Sequence, residues 1–433
     1  MSMSGIFARV VAMVGAGAIL MRRWDGDTPE PAFGGTPNIP KAKPQGIPTL
    51  KMPTAKGWTE GHKPKAAPGF KVNAFADKMD HPRQIYVLPN GDVLVAESSG
   101  EAGKPKSAFD YAASVTMRRA GAMGESPNRI ILLRDADGDG VAEVREVLLE
   151  NQRQPYGMAL VGETLYIGNT DAVMAFPYKL GQTRITEPGR KMMDTKPGGH
   201  WTRNLIVSPD QKKLYVAVGS LSNIADQGMD AEKDRACIHE LDLETGATRV
   251  FGSGLRNPVG MAWEPNAGTL WTVVNERDGL GDETPPDYLT KVEDGHFYGW
   301  PYCYWDRVVD DRVPQDAEMV AKATKPDFAL GGHTASLGLS WVPQGLLAGL
   351  PAGMAIGQHG SWNRSKLSGY KLAFVPFENG HPVGPVRDIL TGFLSPDEKF
   401  SYGRPVGVAV GPDKSSLLMA DDVGDVIWRV TAG

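Results

Sequence analysis

The sequence predicts an all-β protein, a six-bladed β-propeller that follows a non-repetitive N-terminal segment. A hairpin pattern recurs six times along the chain: an entry rich in Arg, Pro or Gly, an apolar strand, a turn and a second apolar strand. Turn residues are also abundant, with 52 Gly and 33 Pro among 433 residues, as expected where turns join many short strands. The copies begin at His81, Gln154, Trp201, Arg256, Ser336 and Gly403.

A single hairpin of this kind cannot bury its own apolar face. Radial stacking into blades of about four strands solves the problem, because each blade then covers its neighbours. A propeller also brings loops from every blade to one central funnel. We therefore expect a functional site built from several blades to lie in that funnel.

Charge and cysteine content exclude some classes of partner and scaffold. The net charge is −5 and there are no long basic runs, so nothing indicates a nucleic-acid partner. Cys237 and Cys303 are the two cysteines of the chain, too few for a disulfide framework. We interpret them as separate buried thiols in preference to a bridge.

The N-terminus indicates where the protein is located. Arg9 precedes an apolar run at residues 10–21, and Arg22 and Arg23 follow it. The run suits a signal peptide and is shorter than the ~20 residues that a membrane-spanning helix needs. No small-residue cleavage site precedes Arg22, so an uncleaved anchor stays open. Residues 1–24 are thus predicted to be a signal peptide or an N-terminal anchor, and the protein periplasmic or exported, with a possible membrane tether.

A linker separates this segment from the repeats. Residues 25–68 are dense in Pro, Gly and Lys and have little periodicity, which is typical of a tether or of a segment wrapped on a domain surface. The propeller itself is predicted to occupy residues 69–433.

An acidic loop follows the first copy. Asp135, Asp137, Asp139, Gly140 and Glu146 stand at positions one, three, five, six and twelve of the calcium-loop pattern, with oxygen ligands spaced to surround a hard cation. The flanking segments RIILLR and VREVLL resemble strands and not the helices of that motif. Two interpretations stay open, a structural calcium site and an acidic hairpin turn.

Charged residues occupy the entries of several copies. His200 precedes the strand of the third copy, and Arg83, Arg256 and Arg404 stand at the entries of the first, fourth and sixth copies. The symmetry of a propeller brings Arg256, Asn257 and Arg404 toward one funnel with His200. Converging cations predict an anionic ligand, because the planar guanidinium binds carboxylates through two hydrogen bonds.

Longer motifs carry a family resemblance. The segments GLRNPVGMAWEP, LWTVVNERDGLGDETPPDYLTKVEDGHFYGWPYCYW, HTASLGLSW, GQHGSWNRSKLSGYKL and GRPVGVAVGPD resemble the glucose/sorbosone dehydrogenase family, most closely its L-sorbosone dehydrogenase branch, from about Gly69 to the C-terminus. Members of that family are six-bladed propellers that use pyrroloquinoline quinone and calcium. The resemblance implies oxidation of an aldose or a sugar aldehyde, with electrons passed to an unidentified quinone or cytochrome.

The resemblance also implies roles for particular residues. His200 matches the family's catalytic base, which must be unprotonated to accept a proton. Arg256 and Asn257 match an Arg-Asn pair that contacts the cofactor, and Arg404 matches an arginine that binds a cofactor carboxylate. Either Lys366 or Arg364 matches a cofactor-binding lysine of the fifth blade.

The cofactor calcium of the family is held partly by backbone carbonyls. The corresponding loop here is Glu276, Arg277, Asp278 and Gly279, and the last three are the predicted ligand positions. Backbone ligands leave no side-chain signature, so this assignment covers only a region. The candidates for the substrate pocket are His333, His359, Trp362 and Tyr298.

Three departures from the family pattern support a second hypothesis. Ser220 stands where an aspartate orients the catalytic imidazole, Asp92 near a cofactor-contacting glutamine, and Tyr402 at the place of a second arginine. The alternative is therefore an exported, non-catalytic propeller that binds carbohydrate or acts as a scaffold. Fold alone does not choose between the two.

Overall fold

The computed structural model describes residues 32–45, 49–101, 108–347 and 349–433. The predicted signal peptide or anchor lies outside these residues. No helix in the described part of the chain is long and apolar enough to cross a membrane. The two helices of this part are α1 (Ala108–Arg119) and α2 (Ala317–Lys322).

Strands dominate the described residues. The segment before the first copy contains β1 (Phe33–Gly34), β2 (Thr54–Ala55), β3 (Lys65–Ala66) and β4 (Phe70–Ala76). The first three blades contain β5 (Pro82–Val87), β6 (Val93–Glu97), β7 (Arg129–Arg134), β8 (Val144–Leu149), β9 (Met158–Val161), β10 (Thr164–Asn169), β11 (Ala172–Pro177), β12 (Arg190–Asp194), β13 (Leu205–Val207), β14 (Lys213–Val218), β15 (Cys237–Asp242) and β16 (Thr248–Ser253).

The second half of the chain forms three further blades. Its strands are β17 (Pro258–Glu264), β18 (Thr269–Val274), β19 (Pro286–Lys291), β20 (Cys303–Tyr304), β21 (Val308–Val309), β22 (Phe328–Gly332), β23 (Ser336–Val342), β24 (Gly353–Gln358), β25 (Lys371–Glu378), β26 (His381–Pro382), β27 (Arg387–Thr391), β28 (Phe400–Ser401), β29 (Pro405–Val410), β30 (Ser416–Asp421) and β31 (Val426–Ala432).

Six antiparallel sheets of four or more strands make up the propeller, and this confirms the predicted fold. Blades one, two and three are β5–β8, β9–β12 and β13–β16, and blade four is β17, β18, β19 and β22 with β1 at its edge. Blade five is β23, β24, β25 and β27 with β3 at its edge, and blade six is β29, β30, β31 and β4. Each predicted hairpin copy forms the first two strands of one blade.

The N-terminal side of the chain closes the ring. Strand β4 pairs with β31 along its whole length, so blade six joins strands from both ends of the described chain. Strands β1 and β3 extend blades four and five, and β2 runs parallel to β28. The described part of residues 32–68 therefore lies against the propeller.

Apolar side chains fill the spaces between neighbouring blades. Between blades six and one, Phe75 and Leu418 pack against Val95 and Ile131. Equivalent clusters lie between the other neighbouring blades. Each fully buried side chain of this size contributes about 1.5–3 kcal/mol, so the alternating apolar pattern of the strands holds the ring together.

The first strands of neighbouring blades contact one another around the central axis. A Cβ at Gly338 would lie only 2.0 Å from the carbonyl oxygen of Val406, so this approach requires a glycine. On the axis Tyr156, Val259, Leu337 and Val406 form a separate apolar cluster. The cavity described next lies at the end of the ring where these first strands begin.

Candidate active site

A cavity of about 360 Å³ lies where the entries of the blades converge. Its walls contain His200, Arg256, Asn257 and Arg404, so the structure brings these four predicted residues together. The other predicted residues in the lining are Asp278, His333, His359 and Trp362, with Glu276 of the predicted calcium-holding loop. The residues that the sequence analysis did not select include Met52, Pro53, Arg83, Met117, Ala120, Ala122, Trp201, Asn275 and Asp287.

His200 is held in one tautomer by Ser220. The Nδ1 atom of His200 lies 2.9 Å from the Ser220 carbonyl oxygen and 3.1 Å from its Oγ. That hydroxyl already donates to the Ser222 carbonyl at 2.7 Å, so both Ser220 oxygens accept from the imidazole. The proton therefore sits on Nδ1, which leaves Nε2 as the basic atom. Burial, and next the charge of Arg256, lower the pKa of His200 to about 3.

Arg256 is largely occupied by the protein. Its Nε donates to the Asn223 carbonyl at 3.2 Å, and its Nη2 donates to Asn223 Oδ1 at 2.9 Å. Its Nη1 donates to the carbonyls of Asn275 and Glu276 at 3.2 and 2.8 Å. Arg256 thus fixes two loops of the cavity wall and places a positive charge beside His200.

Three carboxylates lie on the blade-four side of the cavity. Burial raises the pKa of Glu276 to about 7, although Arg256 opposes the shift. Burial also raises the pKa of Asp287, whose Oδ1 accepts from the Glu276 amide at 2.8 Å. Burial opposes ionisation of Asp278 too, but the hydrogen bond from His333 and the charge of Arg256 hold its pKa below the ordinary value. This side of the cavity is acidic.

The prediction that backbone carbonyls of the loop after β18 hold the cofactor calcium needs correction. Arg277 and Gly279 are not part of the cavity lining. The Asp278 carbonyl accepts from the Arg277 guanidinium and from Asn223 Nδ2, and the Gly279 carbonyl accepts from the Gln45 amide at 3.0 Å. The carbonyls of Asp278 and Gly279, which the resemblance implied as calcium ligands, are thus already hydrogen-bonded within the protein.

His333 is arranged as a cation. Its Nε2 lies 2.8 Å from the Gly281 carbonyl and its Nδ1 lies 3.2 Å from Asp278 Oδ1, so both nitrogens donate. Burial opposes the charge, but the hydrogen bond and the charge of Asp278 outweigh it and raise the pKa of His333. With neither nitrogen free to accept, His333 cannot act as a base in this geometry.

His359 forms a pair with Asp422. Its Nε2 lies 2.9 and 3.0 Å from the two carboxylate oxygens, and Asp422 also pairs with Arg83. Burial, and next the charge of Arg404, lower the pKa of His359 to about 3. The neutral ring therefore donates from Nε2 to Asp422.

Arginine donors on this side have partners for only part of their hydrogen-bonding capacity. Arg404 donates from Nε and Nη2 to the carbonyls of His359 and Gly360 at 2.9 and 3.0 Å. Arg83 stacks over the Trp201 ring with 5.4 Å between guanidinium carbon and ring centroid, and its buried Nε has no hydrogen-bond partner. The buried Oδ1 of Asn257 is also unpaired. Buried polar atoms normally have partners, so these atoms indicate a ligand.

Three predicted site residues lie elsewhere. Arg364 is buried, pairs with Glu283 and donates to carbonyls of its surroundings, so it holds the loops together. Lys366 is exposed. Tyr298 is packed in the core between blades three and four, where its hydroxyl donates to the Lys291 carbonyl at 2.7 Å. None of the three lines the cavity, in contrast to the sequence-based expectation.

Two of the three departures from the family pattern lie away from this cavity. Asp92 pairs with Arg134 at 2.6 Å, and Tyr402 packs beside Trp58 with ring centroids 5.8 Å apart. Arg83 supplies a further guanidinium to the cavity. The sequence analysis placed Arg83 at a blade entry but did not select it as a site residue. Its position at the entry was the sequence feature that could have identified it.

The acidic loop forms a compact cluster. Asp135, Asp137, Asp139 and Glu143 offer oxygens that all lie within 4.8 Å of one another. Glu143 thus takes the place predicted for Glu146, which stands exposed on β8 opposite Leu132. Backbone amides of the loop donate to these carboxylates, for example Gly140 to Asp135 at 2.9 Å. Such bonds suit an acidic hairpin turn, so a calcium site at this loop stays a prediction.

Substitutions in the acidic loop separate the two interpretations. If the cluster binds calcium, calcium raises the melting temperature of the native chain by a few degrees through binding to the folded state. We expect Glu143→Gln to lose that increase and Glu146→Gln to keep it, as measured by calorimetry with and without calcium. An increase that survives in the Glu143→Gln variant would assign the loop to an acidic turn.

Comparison with known proteins gives a family. Residues 126–432 match the family model described as TrAA12-like. A pyrroloquinoline quinone-dependent pyranose dehydrogenase of Coprinopsis cinerea is 23% identical over 427 residues, covering 84% of this chain and 54% of the relative. An uncharacterized protein of Borreliella burgdorferi is 30% identical over 238 residues, covering 53% of this chain and 60% of the relative. The chain spans little more than half of these relatives' length.

Solved structures agree in fold. The holo form of the pyranose dehydrogenase PQQ domain from Coprinopsis cinerea has a TM-score of 0.68 at 20% identity, covering 88% of this chain and all of that domain. A calcium structure of a Trichoderma reesei enzyme of family AA12 has a TM-score of 0.68 at 21% identity, covering 89% of this chain and 99% of that one. The family model and the relatives in sequence confirm the resemblance to quinone-dependent sugar dehydrogenases, the solved structures support the fold, and the sorbosone branch stays a prediction.

Proposed function

The chain belongs to the TrAA12-like family, and on that premise we propose that it oxidises an aldose or a sugar aldehyde, such as a sorbosone, with pyrroloquinoline quinone and calcium. One observation carries the proposal. Incompletely paired arginines and carboxylates line opposite sides of one cavity, with the neutral imidazole of His200 in the same wall. The pyranose dehydrogenase of Coprinopsis cinerea, a relative of this chain, depends on the same quinone.

The arginine side suits the carboxylates of the quinone. Arg404 retains donors on Nη1, and Arg83 has its unpaired Nε buried at the cavity. Charge-assisted hydrogen bonds to carboxylates are roughly twice as strong as neutral ones. We infer that Arg83 and Arg404 would hold the acidic groups of the cofactor, and that the unpaired Asn257 Oδ1 would be free to accept a hydrogen bond from the bound molecule.

The acidic side suits a hard cation. Calcium takes carboxylate, carbonyl and water oxygens, and Glu276, Asp278 and Asp287 line the cavity with side chains of that kind. The charge of His333 offsets part of this negative charge. We infer that Glu276 and Asp278 are the residues that would hold the calcium, since Asp287 already accepts from three donors of neighbouring loops.

The protein's own groups supply the proton chemistry. When bound, pyrroloquinoline quinone would supply a hydride acceptor, and calcium would supply a Lewis acid beside it. His200 Nε2 takes the proton of the reacting hydroxyl as general base. Ser220 keeps Nδ1 protonated, so the lone pair of Nε2 is available for that proton. The positive charge of Arg256 beside the ring favours release of the proton afterwards.

The proposal can be tested by reconstitution. The purified chain is stripped with a chelator, loaded with pyrroloquinoline quinone and calcium, and assayed by dye reduction over a panel of aldoses and sugar aldehydes. We expect sugar-dependent dye reduction that requires both additions and that a chelator removes reversibly. Stoichiometric quinone binding without sugar-dependent reduction would favour the alternative of a non-catalytic carbohydrate-binding propeller.

That alternative has lost some of its support. It was based on missing cofactor contacts, and Arg83 now contributes a guanidinium to the cavity. Export to the periplasm, a membrane tether and a downstream quinone or cytochrome acceptor remain proposals. The dye in the assay stands for that acceptor.

A further inference from the structure

Two segments outside the blades form part of the wall of the cavity. We call the first segment, residues 49–58, the strap. The second segment is α1 with the turn that follows it to Ala122. We call the two segments together the roof. The strap contributes Met52 and Pro53 to the cavity lining, and the second segment contributes Met117, Ala120 and Ala122. The roof thus supplies apolar side chains, whereas the charged groups of the lining come from the blades and their loops.

The strap is fixed at both of its ends. Near its start, the Asn363 side chain donates to the Thr49 carbonyl at 2.7 Å, and the Lys51 amide donates to the Trp362 carbonyl at 2.9 Å. At its end, Trp58 donates from Nε1 to the buried Asp421 at 2.7 Å. The Trp58 ring packs edge-on against Phe393 and Trp428 with centroids 5.6 Å away from each. The strap is therefore a built wall of the site.

The two parts of the roof also touch each other. A Cβ at Gly121 would lie 3.2 Å from the Cβ of Ala55 in the strap. Met52 and Met117 are each half-buried, as expected for side chains that line a cavity. Methionine is flexible and apolar and fills irregular spaces, so both residues can contact the carbon-bound hydrogens of a ligand.

The volume of the cavity limits what fits beneath the roof. Ligand sites commonly measure about 300–1,000 Å³ for one drug-sized molecule, and this cavity of about 360 Å³ must hold a cofactor and the reacting end of a substrate. Resting on the proposed function, we propose that the roof restricts the substrate to a single small sugar or sugar aldehyde. Met52 and Met117 are then the specificity-determining residues that exclude a second sugar unit.

Truncation of the two methionines tests the roof. In the Met52→Ala, Met117→Ala double variant we expect the ratio of kcat/KM for a disaccharide to kcat/KM for its monosaccharide to rise about tenfold or more. Affinity for the disaccharide of the protein loaded with chemically reduced quinone, which fills the cofactor space without turnover, should rise in the same variant when it is measured by calorimetry. Met229→Ala is the matched control, because Met229 is 42% exposed and outside the lining, and it should leave the ratio unchanged.

A second variant guards against effects of misfolding. Met52→Leu with Met117→Leu keeps the side-chain volume and should preserve both the melting temperature and the native ratio. The roof proposal is overturned if the native chain oxidises the disaccharide as well as the monosaccharide, or if the alanine pair changes neither the ratio nor the affinity. Absence of quinone reduction with every sugar would instead contradict the proposed function, and the calorimetric comparison would still test the roof.

Discussion

Replacing His200 with Ala is expected to lower turnover by about 10²–10⁴-fold, the usual contribution of a positioned proton acceptor. Quinone binding should be retained. The imidazole makes its hydrogen bonds to Ser220, so its removal does not disturb the arginines of the opposite wall. The measurement is kcat with dye as acceptor, together with a quinone titration of the same variant. His359→Gln is the comparison, since His359 also lines the cavity with a neutral ring.

Near-native turnover in the His200→Ala variant, with a large loss in His359→Gln, would assign the base to His359. The geometry argues against His333 in that role, because both of its nitrogens donate to acceptors.

The dependence of turnover on pH is a second test of His200 as the base. A base must be neutral, and the pKa of His200 is lowered to about 3 by burial and by Arg256. His200 is therefore unprotonated throughout the neutral and mildly acidic range, and turnover should not decline near the ordinary pKa of histidine. A histidine with an ordinary pKa would instead lose activity in the mildly acidic range, because a protonated ring cannot accept the proton.

Replacing Arg404 with Gln is expected to weaken quinone binding by about 10- to 100-fold. A hydrogen bond to a charged group is worth about 1.5–3 kcal/mol, and the variant removes the positive charge from the wall. The affinity can be followed by quenching of tryptophan fluorescence, because Trp201 and Trp362 line the cavity. Lys366→Gln is the matched control: it removes one positive charge from an exposed residue outside the lining.

Equal losses of affinity in the Arg404→Gln and Lys366→Gln variants would mean that long-range charge, and not contact with Arg404, attracts the quinone. Unchanged affinity in Arg404→Gln would remove the arginine side from the proposed cofactor site.

Much of the fold could be predicted because its signal is local. Alternation of apolar residues and turn residues identifies each hairpin within about twenty residues, and the six copies correspond to the first two strands of the six blades. The closure of blade six was not predictable in the same way. Strand β4 pairs with β31 at the other end of the described chain. Neither strand has a local sequence feature that identifies its partner.

Only the part of the candidate site that follows from the symmetry of a propeller could be predicted. His200, Arg256 and Arg404 stand at blade entries, and entries converge in any propeller. Whether an arginine faces the cavity depends on partners that are distant in sequence, as in the pairs of Arg364 with Glu283 and Arg83 with Asp422. The repeat pattern could not predict the roof either, because the roof comes from segments outside the repeats.

The most direct test of the proposed function is a single turnover without dye. The quinone- and calcium-loaded chain is mixed with an excess of an aldose or a small sugar aldehyde, and the absorbance of the bound quinone is followed. The proposal predicts complete reduction of one bound quinone per chain, fast in the native protein and slower by about 10²–10⁴-fold in His200→Ala. A chain that binds the quinone and leaves it oxidised with every sugar and aldehyde tried would contradict the proposed dehydrogenase activity.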